Sequence, residues 1–184
     1  MTKMSLTLIA ATCLLGAGLS PLALAQNEAY TAVAQVPGAG GQTTFNFTIT
    51  KWSAPDDLKR LGAILKEKGQ SGLLEELKKM DSGRINKIGD TGNQIALAEK
   101  WQDGSDTVIT LIAARRMSLS EEKSRAVSTK YPFGFLQVRL NANGEGKGTM
   151  VAAAAIKYDE KTGAPRLEPF GNGATPVNNV KPLK

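Results

Sequence analysis

Histidine is absent from this chain of 184 residues, and cysteine occurs once, as Cys13. Cys13 lies in an N-terminal segment, 1–25, with Lys3 near its start, an apolar stretch from Leu6 to Leu19, and Ala23-Leu24-Ala25 before Gln26. That is the layout of a secretory signal peptide with a small-residue cleavage site. Cleavage after Ala25 leaves an exported chain with neither thiol nor imidazole. Disulfides, Cys or His nucleophiles and bases, and zinc sites built from those ligands are thereby excluded. The apolar region runs through Cys13 into Leu14 and Leu15, which argues against lipidation there. Beyond the leader no apolar run approaches the roughly 20 residues of a membrane-crossing helix, so no transmembrane span is expected after cleavage. Stability must come from packing alone.

Aromatic residues make up only 5% of the sequence. No stretch interleaves them with basic residues or matches a nucleic-acid-binding motif, so nucleic acid is not an expected partner. Acids are outnumbered 17 to 23 by Lys and Arg, and the formal charge of +6 falls by one when Lys3 is lost with the leader. The remaining basic excess favours solubility and attraction to anionic envelope surfaces or polymers.

After the leader, residues 26–42 are small, polar and glycine-rich, with Pro37-Gly38-Ala39-Gly40-Gly41 near the end, and read as a flexible linker. A single α+β domain is expected over 43–184. Thr44 to Thr50 alternates, with Phe45, Phe47 and Ile49 on one side, as a half-buried strand does. The period then changes: Ser53-Ala54-Pro55-Asp56 suggests a helix start, and Leu58, Leu61, Ile64 and Leu65 recur at helical spacing up to Gly69. A second short helix fits Ser71 to Met80, making a pair joined at Gly69-Gln70 that covers an apolar sheet face. Further strands are expected at Arg84 to Ile88, Gln94 to Trp101, Thr107 to Ala114, Phe133 to Leu140, Thr149 to Tyr158 and Arg166 to Pro169. Asp103-Gly104-Ser105 and Asn141-Ala142-Asn143-Gly144 signal hairpin turns. Ser118 to Ala126 reads as a loop or brief surface helix, and the proline-bearing end as an extended tail. The expected fold is one antiparallel sheet of about six strands with the helix pair; a half-closed β-barrel with a helical cover is the alternative.

Five segments, Thr48-Ile49-Thr50-Lys51-Trp52, Leu65-Lys66-Glu67-Lys68-Gly69-Gln70, Leu73-Leu74-Glu75-Glu76-Leu77, Tyr131-Pro132-Phe133-Gly134 and Pro176-Val177-Asn178-Asn179-Val180-Lys181, together resemble a group of uncharacterised exported bacterial proteins. The resemblance spans the mature domain. It implies a periplasmic or extracellular location in bacteria, and it carries over no activity, ligand or catalytic residue.

The chemistry-bearing motifs are few. Asn141-Ala142-Asn143-Gly144-Glu145-Gly146 has the oxygen spacing of half a calcium loop, but the twelfth position is Ala152 where a bidentate Glu is needed. Gly144-Glu145-Gly146-Lys147-Gly148 lacks the spacing of a phosphate loop. The acid pairs Asp56-Asp57, Glu75-Glu76 and Glu121-Glu122 fit helix ends and solvated faces. Trp52 and Trp101 fit a core edge. No metal and no cofactor are expected, and no catalytic residue is identified. Arg115 and Arg116, directly after the apolar strand, with Lys123, Arg125 and Lys130 behind them, form the candidate ligand-binding patch, a basic rim for an anion. The expected function is a non-enzymatic binding or structural module in the envelope or medium, meeting an anionic envelope component or another protein. A carboxylate- and arginine-dependent hydrolase or lyase is the alternative.

Overall fold

The computed structural model describes residues 27–36, 41–117, 130–171 and 173–183. Among them the chain forms ten strands and one helical element. In chain order these are β1 (Glu28–Val36), β2 (Gly41–Ile49), α1 (Pro55–Leu77), β3 (Gly83–Lys87), β4 (Asn93–Ile95), β5 (Leu97–Asp103), β6 (Asp106–Ala113), β7 (Phe133–Leu140), β8 (Gly146–Asp159), β9 (Ala164–Pro169) and β10 (Ala174–Pro182). The strands join antiparallel in the order β4-β3-β2-β1-β10-β8-β7-β6-β5, with β9 added to β8.

The two ends of that path are consecutive in sequence, separated by Ala96 alone. One bent segment thus pairs with β3 through β4 and with β6 through β5. At the bend the Ala96 N–H donates to the Ile112 carbonyl (2.8 Å). The result is a nearly closed barrel. Its interior is filled by alternate side chains, among them Tyr30, Phe45, Phe47, Ile85, Ile109, Leu111, Leu136, Met150 and Val177. Curvature this tight needs bare backbone where neighbouring strands approach. A Cβ on Gly148 would lie closer than 3.0 Å to the carbonyl oxygen of Gln137 on β7.

The expected sheet of about six strands is therefore corrected, because the expected linker and the expected tail both contain strands. The expected linker contains β1, which pairs with β2 along its full length and with β10. Its inward row is Glu28, Tyr30, Ala32 and Ala34, and the small alanines blunt the alternation that marks β2. The expected extended tail is β10, between β1 and β8. The register slips between Val177 and Val180, so these two fully buried valines sit three apart and conceal the two-residue period. Asn179 in that irregularity has φ 52. Pro176 pairs with Thr149 of β8, while pairing with β1 stops at Ala34 and Val177, so its missing N–H is not needed on that side.

In place of two separate helices there is one element, α1, whose two helical stretches meet at the expected joint, a non-helical Gly69 (φ 64, ψ −165). It lies outside the barrel, where Leu61, Leu65, Leu73 and Leu77 pack with Leu97, Phe133 and Ile156. Ser53 does not cap it. Its N–H donates to the Ala98 carbonyl (2.8 Å) and its Oγ accepts from the Ala98 N–H (3.2 Å), completing the edge of β5 where β3 has ended. At the kink Gln70 donates Nε2 to the Lys130 carbonyl (3.0 Å) and accepts the Ile156 N–H (3.1 Å).

Among the described residues strand β9 pairs only with β8, which leaves one edge open. The Phe170 N–H donates to the Ala153 carbonyl, which sets the alternation so that Arg166 and Glu168 face β8 while Pro165, Leu167 and Pro169 face outward. Of these three only Leu167 has an N–H to offer. The edge is thus closed to further strand pairing.

Candidate functional site

Strand β6 is held between β5 and β7 and ends at Ala113, which delivers Arg115 and Arg116 to the surface, both exposed. Arg115 lines a cleft of ≈ 110 Å³ with Leu77, Lys78, Met80, Gln94, Ala96 and Ala114, between the end of α1 and the strands beside it. Lys130 is exposed as well, its carbonyl bound by Gln70 at the α1 kink. Gln70 and Leu77 are separated by about 10 Å of helix rise, so Arg115 and Lys130 flank the second half of α1. Lys123, Arg125 and the acids Glu121 and Glu122 lie outside the described residues.

Charge around the cleft is uneven. Neither Arg115 nor Lys78 has an ion pair or side-chain hydrogen bond among the described residues. Of the acids nearest Lys78 in sequence, Glu76 and Asp81 are engaged and Glu75 is not. Glu76 meets Arg60 (2.9 Å) and Lys79 (2.6 Å), which hold its carboxyl below the ordinary range. Asp81 meets Arg84 (3.7 Å). Asp56 and Asp57 pair one turn along α1 with Lys59 and Arg60.

A second cluster bridges the barrel mouth. The Glu28 carboxylate accepts from Tyr30 Oη (2.9 Å), Trp52 Nε1 (3.1 Å) and Lys100 Nζ (2.7 Å). Lys100 also stands 4.5 Å from the Trp52 ring centroid, within cation–π range. Burial by itself raises the Glu28 carboxyl, and the bonds from Lys100, Tyr30 and Trp52 outweigh it, so the group stays below its ordinary value. Burial and then the Glu28 carboxylate push the Tyr30 phenol up, so it remains a donor. With three donors in place this carboxylate is a latch between β1, the segment after β2, and β5.

Glu99, on the outer face of β5, is the one described acid raised above its ordinary range, by burial. Its row across the ladder is Thr110, Gln137 and Thr149, with Gln137 Nε2 donating to Thr110 Oγ1 (3.0 Å). That row holds no second carboxylate. Among the described residues no three or more Asp and Glu gather in a way that suits a metal ion, and no helix is long and apolar enough to cross a membrane.

Of the predicted basic patch only Arg115 lines the cleft, and the sequence pointed to none of the cleft's other residues as a site. Lys78 reads as one of several outward lysines on a helix, and only the meeting of α1 with β4 and β6 turns it toward a cleft. Glu28 lay in the expected linker. No family model matches the chain, and no curated protein or solved structure is significantly similar to it.

Proposed function

We propose that this is an exported bacterial protein of the periplasm or the surrounding medium, of the kind its resemblance suggests, acting as a non-enzymatic binding module for an anionic envelope component. The observation that carries this reading is the guanidinium of Arg115, exposed and without a partner among the described residues, at the mouth of a cleft whose lining includes Lys78 and no acid. Arg116, next in the chain, and Lys130, whose carbonyl is bound by Gln70 of α1, are exposed as well. The field of such a group reaches about 10 Å at 0.1 M salt, comparable to the stretch of helix between these residues.

The alternative, a carboxylate- and arginine-dependent hydrolase or lyase, needs two carboxyls in one pocket, one of them raised. Glu99 is raised but does not line the cleft, so the binding reading is preferred.

The test is co-sedimentation of the purified exported chain with phosphatidylglycerol vesicles. Binding is expected at about 0.05 M salt and should weaken several-fold by about 0.5 M as exposed charges are screened. The double variant Arg115→Ser, Arg116→Ser should bind more weakly at every salt concentration while still unfolding cooperatively. Absence of binding at low salt, or equal binding by the double variant, overturns the proposal. Recovery of mature protein beginning at Gln26 checks the export step.

A further inference from the structure

We infer that the cleft between the end of α1 and the β4–β6 strands is a binding site for a small carboxylate that carries a short alkyl stem. This rests on the anion-attracting reading of Arg115 and adds the chemistry of the ligand. The lining divides into two parts. Leu77 and Ala96 are buried, and with the half-buried Met80 and Ala114 they form an apolar floor. Lys78 and Arg115 are exposed, cationic and without partners among the described residues. An inorganic anion uses only the second part, and an uncharged alkyl chain only the first.

A helix C-terminus normally opposes an anion, because its last carbonyls carry partial negative charge. Here three of the last four carbonyls are occupied. Leu74 accepts from the Lys78 N–H, Glu76 from the Lys79 N–H and Leu77 from the Met80 N–H, while Met80 accepts from Gln94 Nε2 (2.8 Å). Glu76 and Asp81 are ion-paired elsewhere. Glu75, three residues before Lys78, forms no ion pair with it, so neither rim cation is held in a salt bridge among the described residues. The Arg115 guanidinium offers the two-pronged donor geometry that suits a carboxylate, and Lys78 adds a second positive group. The volume of ≈ 110 Å³ is well under the roughly 300 Å³ at which sites for drug-sized ligands begin. It admits a stem of a few carbons.

The experiment is an amide NMR titration of the exported chain with sodium butyrate, and separately with 1-butanol and with inorganic phosphate. Butyrate should give saturable shifts centred on Ala96, Ala114 and Lys78, with butanol and phosphate each weaker by roughly tenfold or more, since each lacks one half of the recognition. Lys78→Ser with Arg115→Ser should weaken butyrate by a similar factor. Ala114→Leu, which fills the floor without changing charge, should abolish it. Equal response to butyrate and phosphate, or butyrate shifts unaltered by Ala114→Leu, overturns the inference. Vesicle binding separates the two proposals: if Ala114→Leu and the parent chain both bind vesicles and neither saturates with butyrate, the cleft inference fails alone. Saturable butyrate binding by a chain that ignores vesicles removes the surface reading and leaves the cleft.

Discussion

Replacing glycine by alanine adds one methyl group wherever it is done, yet the fold assigns that change a different outcome at Gly62, Gly104 and Gly148. Gly62 lies in the first half of α1, and a Cβ there meets nothing within 4 Å. Gly62→Ala removes freedom from the unfolded chain and should stabilise by about 0.5–1 kcal/mol. Gly104 forms the β5–β6 turn at φ +64, also in open space; alanine touches nothing but is held in a left-handed conformation at a cost of about 1–2 kcal/mol. At Gly148 the added Cβ falls within 3.0 Å of the Gln137 oxygen and the Val138 Cα, main-chain atoms of β7, to which β8 is paired. Because β7 is itself held by β6, neither strand yields without loss of ladder bonds. The cost should reach or exceed about 3 kcal/mol, the upper end for overpacking. Urea unfolding at a common m value reads all three as midpoint shifts, with Gly62→Ala above the parent chain, Gly104→Ala below it and Gly148→Ala lowest. A Gly148→Ala midpoint at or above that of the parent would refute the close approach of β7 and β8, and with it the curvature by which the sheet closes.

The Glu28 latch predicts a pH signature. Its carboxyl sits lower in the fold than in the unfolded chain, so its contribution is complete above the unfolded value near 4.5 and fades as pH falls through the depressed folded value. The stability gap between the parent and Glu28→Gln should shrink as urea midpoints are followed down the acid limb; a gap constant with pH would sink the latch. On α1, Leu77→Ala should cost about 2–5 kcal/mol from lost burial while the exposed Lys66→Ala costs about 0.5 kcal/mol, and equal small effects would mean that the helix does not cover the barrel. At the β9 edge, Pro165→Val with Pro169→Val restores two outward N–H groups and should bring on concentration-dependent self-association by light scattering, whereas no change from the parent chain would show that the prolines do not guard it.

Legibility along the chain followed the strength of local contrast. Phe45, Phe47 and Ile49 alternate with polar residues, and they mark β2 without ambiguity. Phe133 to Leu140 falls on β7, and Asp103-Gly104-Ser105 turns between β5 and β6. Val108 to Leu111 is buried on both faces, as a run of apolar residues implies for an inner strand. Contrast failed where the inward residues are small or the period slips. Ala32 and Ala34 of β1 pack inside the barrel with 1% and 0% exposure, but alanine signals neither face. Val177 and Val180 need the register irregularity before both can point inward. For the site, charge drew notice to Arg115 and gave no means of choosing Lys78 among the lysines of α1.

The sequence by itself determined which chemistry is missing after residue 25, because absence of His and Cys is independent of folding, and it determined the local periods of β2, α1, β6 and β7. Tertiary structure alone decided that the first and last described strands pair. β1 joins β10, and the segment through Ala96 passes from β3 to β6, so an apparent meander becomes a nearly closed barrel. Those contacts join residues far apart in the chain, and no window of sequence contains both partners. The cleft has the same origin, since Leu77, Gln94 and Arg115 acquire a common surface only when the outside of the barrel receives the end of the helix.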